Sequence, residues 1–261
     1  MANEVNECGC RNGFGYYDCV VKEVVLKRPC KRKADLKEAY DWIDGDNEIR
    51  KISIGIGGVE KFVQENSSPA LYVSAREVIK QNALKTAVID AEILENILVR
   101  IEGREALRNL SMKCFLFADN ENLFNLMIKT VKTLKNLVYL DFTGCYFTDE
   151  QLIDLADVVS SLHVAHLVWP EARMSPMVLE EVVKRLESNK AITVVRGAPL
   201  ELGVIAAKNR EWIFEIGRHP SRITDAEAVL LKEYINSVRI AIAFEKQKLF
   251  DIEKALEGAM A

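Results

Sequence analysis

A strand–turn–helix unit recurs along the middle of this sequence and limits the folds that the chain can adopt. Its clearest copy is LVYLDFTGCYFTDEQLIDLADVVSSL, residues 137–162. The spacing L-x-x-L-x-L at its start predicts a short strand, and Thr143-Gly144 predicts the turn that follows. Thr148 and Gln151 have the spacing of a capping box, which predicts the start of an amphipathic helix.

The same unit can be fitted to the chain on both sides of this copy. The fitted strands start at Ile49, Leu84, Leu107, Leu137 and Val164. A sixth, irregular unit begins near Ile192. One unit alone cannot bury both its strand face and its helix face, whereas stacked units share a parallel sheet, a helical layer and one apolar core. We therefore expect an α/β solenoid of about five to six units over residues 49–217, with an ordinary α/β domain as the alternative.

These units resemble the leucine-rich repeats of the ribonuclease-inhibitor class. The segment RLESNKAITVV resembles the junction where a helix ends, an asparagine follows and the next strand begins, and IAAKNREWIF resembles the closing helix. The resemblance extends over residues 49–215. It implies parallel strands on a concave face and helices on a convex face. Irregular unit lengths indicate a divergent member, and similar divergent arrays occur among bacterial effector proteins delivered into host cells.

The two ends of the chain do not carry the repeat. Residues 1–48 predict a cysteine-containing N-terminal cap with a basic run at 27–33, a strand in VVKEVVL and a helix in DLKEAYDWI. Residues 218–261 predict a helical cap. Thr224 begins a capping-box pattern there, and apolar residues recur at steps of three and four as far as Leu256. A helix over 224–256 can pack on the end of the solenoid or associate with a second copy.

The N-terminal cap contains four cysteines, Cys8, Cys10, Cys19 and Cys30. Four thiolates can bind a structural zinc ion, although the spacing lacks the paired C-x-x-C of typical zinc sites. Unligated thiols and disulfides are the alternatives. The C-x-C element also resembles the disulfide-bonded N-terminal caps of extracellular leucine-rich-repeat proteins. No other cofactor is expected.

Patterns typical of catalytic sites are missing from the sequence. The run Gly55-Ile56-Gly57-Gly58 is followed by Glu60, where a dinucleotide-binding turn would have its third glycine. Cys114 and Cys145 follow predicted strands, where a thiol acts as a small apolar group, and no neighbouring histidine is placed to activate either one. We therefore expect a protein that is not an enzyme.

Charge and hydropathy restrict the partners and the compartment. The net charge is −4, from 39 acidic and 35 basic residues, which argues against broad nucleic-acid binding because such binding needs a positive field. No apolar stretch approaches the roughly 18 residues that would span a bilayer. The first residues also lack a signal-peptide pattern. We expect a cytoplasmic protein, or one exported without a cleaved signal peptide.

Strand residues between the apolar positions should point away from the core and line the concave face. Projection of the repeat onto this face gives Lys51, Ser53, Thr86, Val88, Asp90, Asn109, Ser111, Lys113, Tyr139, Asp141, Thr143, His166 and Val168. Mixed charge with an aromatic residue and exposed apolar residues is typical of a protein interface. We expect a protein-binding adaptor. The alternatives are a structural subunit contacted through the basic segment and C-terminal helix, an exported effector, or an enzyme without a recognisable motif.

Overall fold

The structure is a computed structural model that describes residues 9–11, 15–19, 22–26, 33–55, 91–170 and 174–218, and six single positions between 224 and 235. Its strands are β1 (Gly9–Arg11), β2 (Gly15–Asp18), β3 (Glu23–Leu26), β4 (Lys51–Gly55), β5 (Asn109–Lys113), β6 (Tyr139–Asp141), β7 (His166–Val168) and β8 (Val194–Arg196). Its helices up to residue 218 are α1 (Lys33–Gly45), α2 (residues 91–101), α3 (Glu121–Thr133), α4 (Asp149–Ser160), α5 (Pro176–Leu186) and α6 (Leu200–Arg218).

All eight strands form one sheet whose spatial order equals the chain order, β1 to β8. The first three strands are antiparallel neighbours. From β3 to β8 every strand pairs in parallel with the next strand along the chain. Parallel neighbours need a crossover connection, and helices occur between successive parallel strands. The predicted α/β class with a mostly parallel sheet is therefore confirmed.

One face of the parallel strands is buried against the helices. Val24, Ile52, Leu110, Leu140 and Leu167 lie opposite one another in register, and all five are fully buried. They belong to a single apolar cluster that extends from β3 to α6. Because side chains alternate along a strand, the residues between these positions lie on the opposite face, which we call the open face.

Polar side chains cap the N-termini of several helices. Asn120 accepts a bond from the Leu123 backbone N–H at the start of α3, and Ser175 caps α5, whose first residue is Pro176. At α4 the Thr148 side chain accepts a bond from the Gln151 N–H, and the Gln151 side chain accepts one from the Thr148 N–H. The capping box that the sequence predicts there is confirmed.

A repeated backbone junction links each parallel strand to the next. The carbonyl of the residue just before a strand accepts bonds from two successive N–H groups of the following unit. The accepting carbonyls belong to Lys22, Arg50, Arg108, Val138 and Ala165. The junctions are 28, 58, 30 and 27 residues apart, so the interval from β4 to β5 is twice as long as the others.

The repeat fitted at Leu84 falls within that long interval. β4 pairs directly with β5, with Ile52 opposite Leu110, so no other strand is inserted between them in the sheet. Residues 56–90, including Leu84, lie outside the described residues. The helix predicted after it is present as α2, and Ile93, Leu94, Ile97, Leu98 and Ile101 are buried there.

The sheet also continues across the predicted boundary at residue 48. β3 lies in VVKEVVL and pairs with β4, as the sequence predicts. Trp42 and Ile43 of α1 lie in the same apolar cluster as the later units. β3 and α1 therefore belong to the same sheet and the same apolar core as the later strands and helices. At the other end, the Ala228 N–H donates to the Thr224 carbonyl, 2.9 Å away, and most of the predicted 224–256 helix lies outside the described residues.

Two buried asparagines donate hydrogen bonds to backbone carbonyls near the C-terminal end of the chain's parallel sheet. The amide nitrogen of Asn189 donates to the carbonyls of Val159 and Leu162, at 2.7 and 2.9 Å, and its oxygen accepts from the Ala191 N–H at 2.9 Å. Asn209 repeats the arrangement on the next unit by donating to the carbonyls of Asn189 and Ile192, at 2.8 Å each.

Arg104 makes the equivalent contacts near the other end of the array. Its guanidinium donates to the carbonyls of Ile43 and Asp46, at 2.6 and 2.7 Å. In all three cases the accepting carbonyls are three residues apart, in the last turn of a helix or in the segment that follows it. One side chain from a later element thus donates to two carbonyls at once and joins the two elements.

Candidate functional site

The open face carries two rows of side chains that cross six neighbouring parallel strands. The first row, in register, is Glu23, Lys51, Asn109, Tyr139, His166 and Val194; the second is Val25, Ser53, Ser111, Asp141, Val168 and Arg196. Most of these side chains are half-buried, and Arg196 is exposed. With neighbouring strands about 4.8 Å apart, the rows extend over roughly 24 Å.

Ten of the thirteen predicted contact residues are described, and they lie together on or beside this face. Nine are strand residues of β4 to β7, and Thr143 is the second residue after the end of β6. Lys113 lies opposite Gly55 just beyond the second row. The other three, Thr86, Val88 and Asp90, lie outside the described residues.

Asp141 is the centre of a hydrogen-bond network under this face. One carboxylate oxygen accepts bonds from the hydroxyls of Ser111 and Tyr139, at 3.0 and 3.2 Å. The other accepts from the Thr143 N–H and hydroxyl, at 2.9 and 2.6 Å. The Lys113 ammonium lies 3.7 Å away. Since the Asp141 side chain is only 4% exposed, it supports its neighbours and offers little surface to a partner.

Tyr139 is held rigidly at the middle of the first row. Its hydroxyl is bonded to Asp141. The His166 ring contacts it edge-on, with ring centroids 4.8 Å apart. Burial, followed by the positive charge of Arg196, lowers the pKa of His166 from 6.5 to about 4, although Asp141 opposes this change. His166 is therefore neutral near pH 7 and packs as an aromatic ring.

The basic groups of the face are distributed along both rows. Lys51 pairs with Glu23 at 2.7 Å, and Lys113 pairs with Asp141. Arg196 is exposed beside Val168. The face thus combines paired charges, one exposed guanidinium and an aromatic centre.

Four residues of the rows were missing from the sequence-based set: Glu23, Val25, Val194 and Arg196. Glu23 and Val25 belong to β3, and a shift of 28 residues back from Lys51 and Ser53 would have found them. Arg196 was left out because it interrupts the apolar pattern of ITVVRGAP. Its register partner is Val168, so an exposed residue is expected at that position.

The cysteine side chains that the structure describes differ in their bonding state. Cys19 is disulfide-bonded, and a sulfur in a disulfide is not available as a thiolate ligand. Cys8 and Cys30, and the side chain of Cys10, lie outside the described residues, so zinc binding there stays a prediction. Cys114 and Cys145 are free and buried. Burial raises the pKa of the Cys145 thiol well above its ordinary value, and its Sγ lies 3.1 Å from the Met112 carbonyl.

The described part of the chain contains neither a metal-binding cluster nor a membrane-spanning helix. No group of three or more His, Cys, Asp or Glu side chains there is placed to hold a metal ion. None of the helices in the same residues is both long and apolar enough to cross a membrane. Neither a scan against protein-family models nor a search of curated proteins finds a match to this sequence.

Proposed function

We propose that this chain is a leucine-rich-repeat protein of the ribonuclease-inhibitor class that binds a protein partner through its open face and has no catalytic role. Three features support the repeat class. Successive parallel strands are neighbours in chain order, one carbonyl per unit accepts two bonds from the next, and Asn189 and Asn209 each donate two bonds to carbonyls of the segment before them.

The observation that carries the binding proposal is the pair of side-chain rows on the open face. A rigid tyrosine with an adjacent aromatic ring and a nearby exposed arginine has the composition of a protein-interface centre. The hydrogen bond from Tyr139 to Asp141 and the contact with His166 fix the ring before any partner arrives. A prearranged side chain loses less conformational entropy on binding, which favours this position as an anchor.

Site-specific photocrosslinking tests the proposal. A photoreactive phenylalanine analogue replaces Tyr139 in the full chain, and crosslinked proteins are identified by mass spectrometry in the cell that makes the protein or receives it. The matched control carries the analogue at Lys184, whose side chain is 77% exposed on α5. We expect a discrete crosslinked protein from position 139 and none of that mass from position 184.

Variants of the open face provide the quantitative test once the crosslinked protein has been identified. Tyr139→Ala and Arg196→Ala should each weaken its binding at least about tenfold, equivalent to about 1.4 kcal/mol, while Lys184→Ala should not. Asp141 is unsuitable for this purpose, because its replacement disrupts a buried network. Equal binding by the Tyr139, Arg196 and Lys184 variants would refute the open face as the binding surface.

A further inference from the structure

The last helix of the array, α6, has apolar side chains on two opposite faces. Its inner face packs into the core through Leu202, Ile205, Ala206 and Ile213, which are all buried. Its outer face carries Leu200, Val204 and Phe214, which are 82%, 44% and 60% exposed. At 3.6 residues per turn these three residues share one stripe opposite the buried side. A helix that covers a single core needs only one such stripe.

The exposed apolar side chains of the described residues are concentrated on this outer stripe. Seven large apolar side chains are exposed among the described residues, and three of them lie on α6. Two more, Val229 and Ile235, belong to the positions that follow α6. The apolar residues Leu126, Ile153 and Val183 of α3 to α5 are instead partly buried against the core. Exposed apolar patches of this kind mark interaction surfaces.

Charges beside the stripe make this face complementary to itself. Glu201, Lys208, Glu211 and Arg218 all lie on exposed positions of α6. Within the chain Lys208 pairs with Glu187 at 3.6 Å and Arg218 pairs with Glu215 at 3.0 Å, and exposed pairs of this kind contribute little and can be exchanged for contacts with a second copy. If a second α6 runs antiparallel about a twofold axis between residues 209 and 210, Glu201 lies opposite Arg218 of the other copy. Lys208 then lies opposite Glu211, because each pair is equally far from the axis. The same register brings Val204 next to Phe214 of the other copy.

The geometry points to the outer face of α6 as an interface between two copies of this chain. A twofold contact uses the same patch on both subunits and so requires self-complementarity, which the charge pattern supplies. The 19 residues of α6 give a contact about 28 Å long. The antiparallel arrangement also brings oppositely directed helix dipoles together. This inference does not depend on the partner-binding role of the open face.

Sedimentation equilibrium of the full chain over about 1–200 μM tests the interface. We expect a concentration-dependent mass approaching that of two chains. The double variant Val204→Glu, Phe214→Glu should raise the dimer dissociation constant at least about tenfold. The matched control Met177→Glu changes an apolar side chain that is 82% exposed but lies on α5, and it should dimerise like the wild type. Circular dichroism melting verifies that all three proteins are folded.

A charge exchange tests the antiparallel register. Glu201→Arg alone should weaken the dimer, and Glu201→Arg combined with Arg218→Glu should restore it. A wild type that stays monomeric over the whole range overturns the proposal, and so does a dimer that survives the Val204→Glu, Phe214→Glu change. Failure of the exchange to restore the dimer overturns the register.

Discussion

The buried asparagine between the last two repeat units allows a stability prediction whose size follows from the structure. Asn189→Ala removes three hydrogen bonds, two donated by the amide nitrogen and one accepted by the amide oxygen. The Val159 carbonyl keeps a partner, because it also accepts from the Leu162 N–H. Among the described residues, the Leu162 carbonyl and the Ala191 N–H have no replacement. Both belong to buried residues.

Each buried polar group left without a partner costs about 1–3 kcal/mol. Two such groups give an expected loss of about 2–6 kcal/mol in the free energy of unfolding. The matched control is Asn136→Ala, because the Asn136 amide also donates to a carbonyl, that of Glu105 at 3.0 Å, but at an exposed site. Water can replace that bond, so we expect a loss of about 0.5 kcal/mol or less.

Equilibrium unfolding in guanidinium chloride, followed by circular dichroism, measures both changes on the full chain. Asn209→Ala, which removes the two bonds of the neighbouring unit, should resemble Asn189→Ala. If Asn189→Ala costs no more than Asn136→Ala, the asparagine does not join the units, and the argument from orphaned carbonyls is refuted.

Three further predictions concern acidity, a turn and a helix cap. Because folding lowers the pKa of His166 from 6.5 to about 4, the unfolded chain binds more protons between these values, and stability should fall as pH drops from about 6.5 to 4. That pKa change corresponds to at most about 3 kcal/mol, which partial exposure reduces to about 1–2 kcal/mol. His166→Gln should remove this part of the pH dependence of stability. If the free energy of unfolding in urea changes with pH in the variant as it does in the wild type, the assignment to His166 is contradicted. Gly144→Ala places a Cβ 2.9 Å from the Cys114 Sγ at a backbone φ of +69°, so we expect a loss of about 2–4 kcal/mol in unfolding experiments. In a Cys114→Ala background only the part due to φ, about 1 kcal/mol, should remain, and an equal loss in both backgrounds excludes the clash. Thr148→Ala removes the N-cap of α4 and should cost about 1 kcal/mol, whereas Thr148→Ser should cost less, as thermal melts will show; equal melting temperatures contradict the capping role.

The sequence by itself determined the unit and much of its local structure. The L-x-x-L-x-L spacing located β5, β6 and β7, because side chains on a strand covered from one side must alternate. Thr148 and Gln151 located the start of α4, since capping depends only on neighbouring residues. The same alternation predicted which residues of β4 to β7 point away from the core, including Tyr139 and His166.

Only the tertiary structure decided which strands are neighbours and which side chains are buried. The direct pairing of β4 with β5 could not be predicted, because strand adjacency depends on contacts between residues far apart in the sequence. Asp141 appeared from its spacing to be a surface contact, whereas hydrogen bonds from Ser111 of the neighbouring strand and from Tyr139 and Thr143 make it a buried support. The outer apolar face of α6 could likewise be recognised only from the structure, which shows that the other apolar residues of this helix are the ones buried in the core.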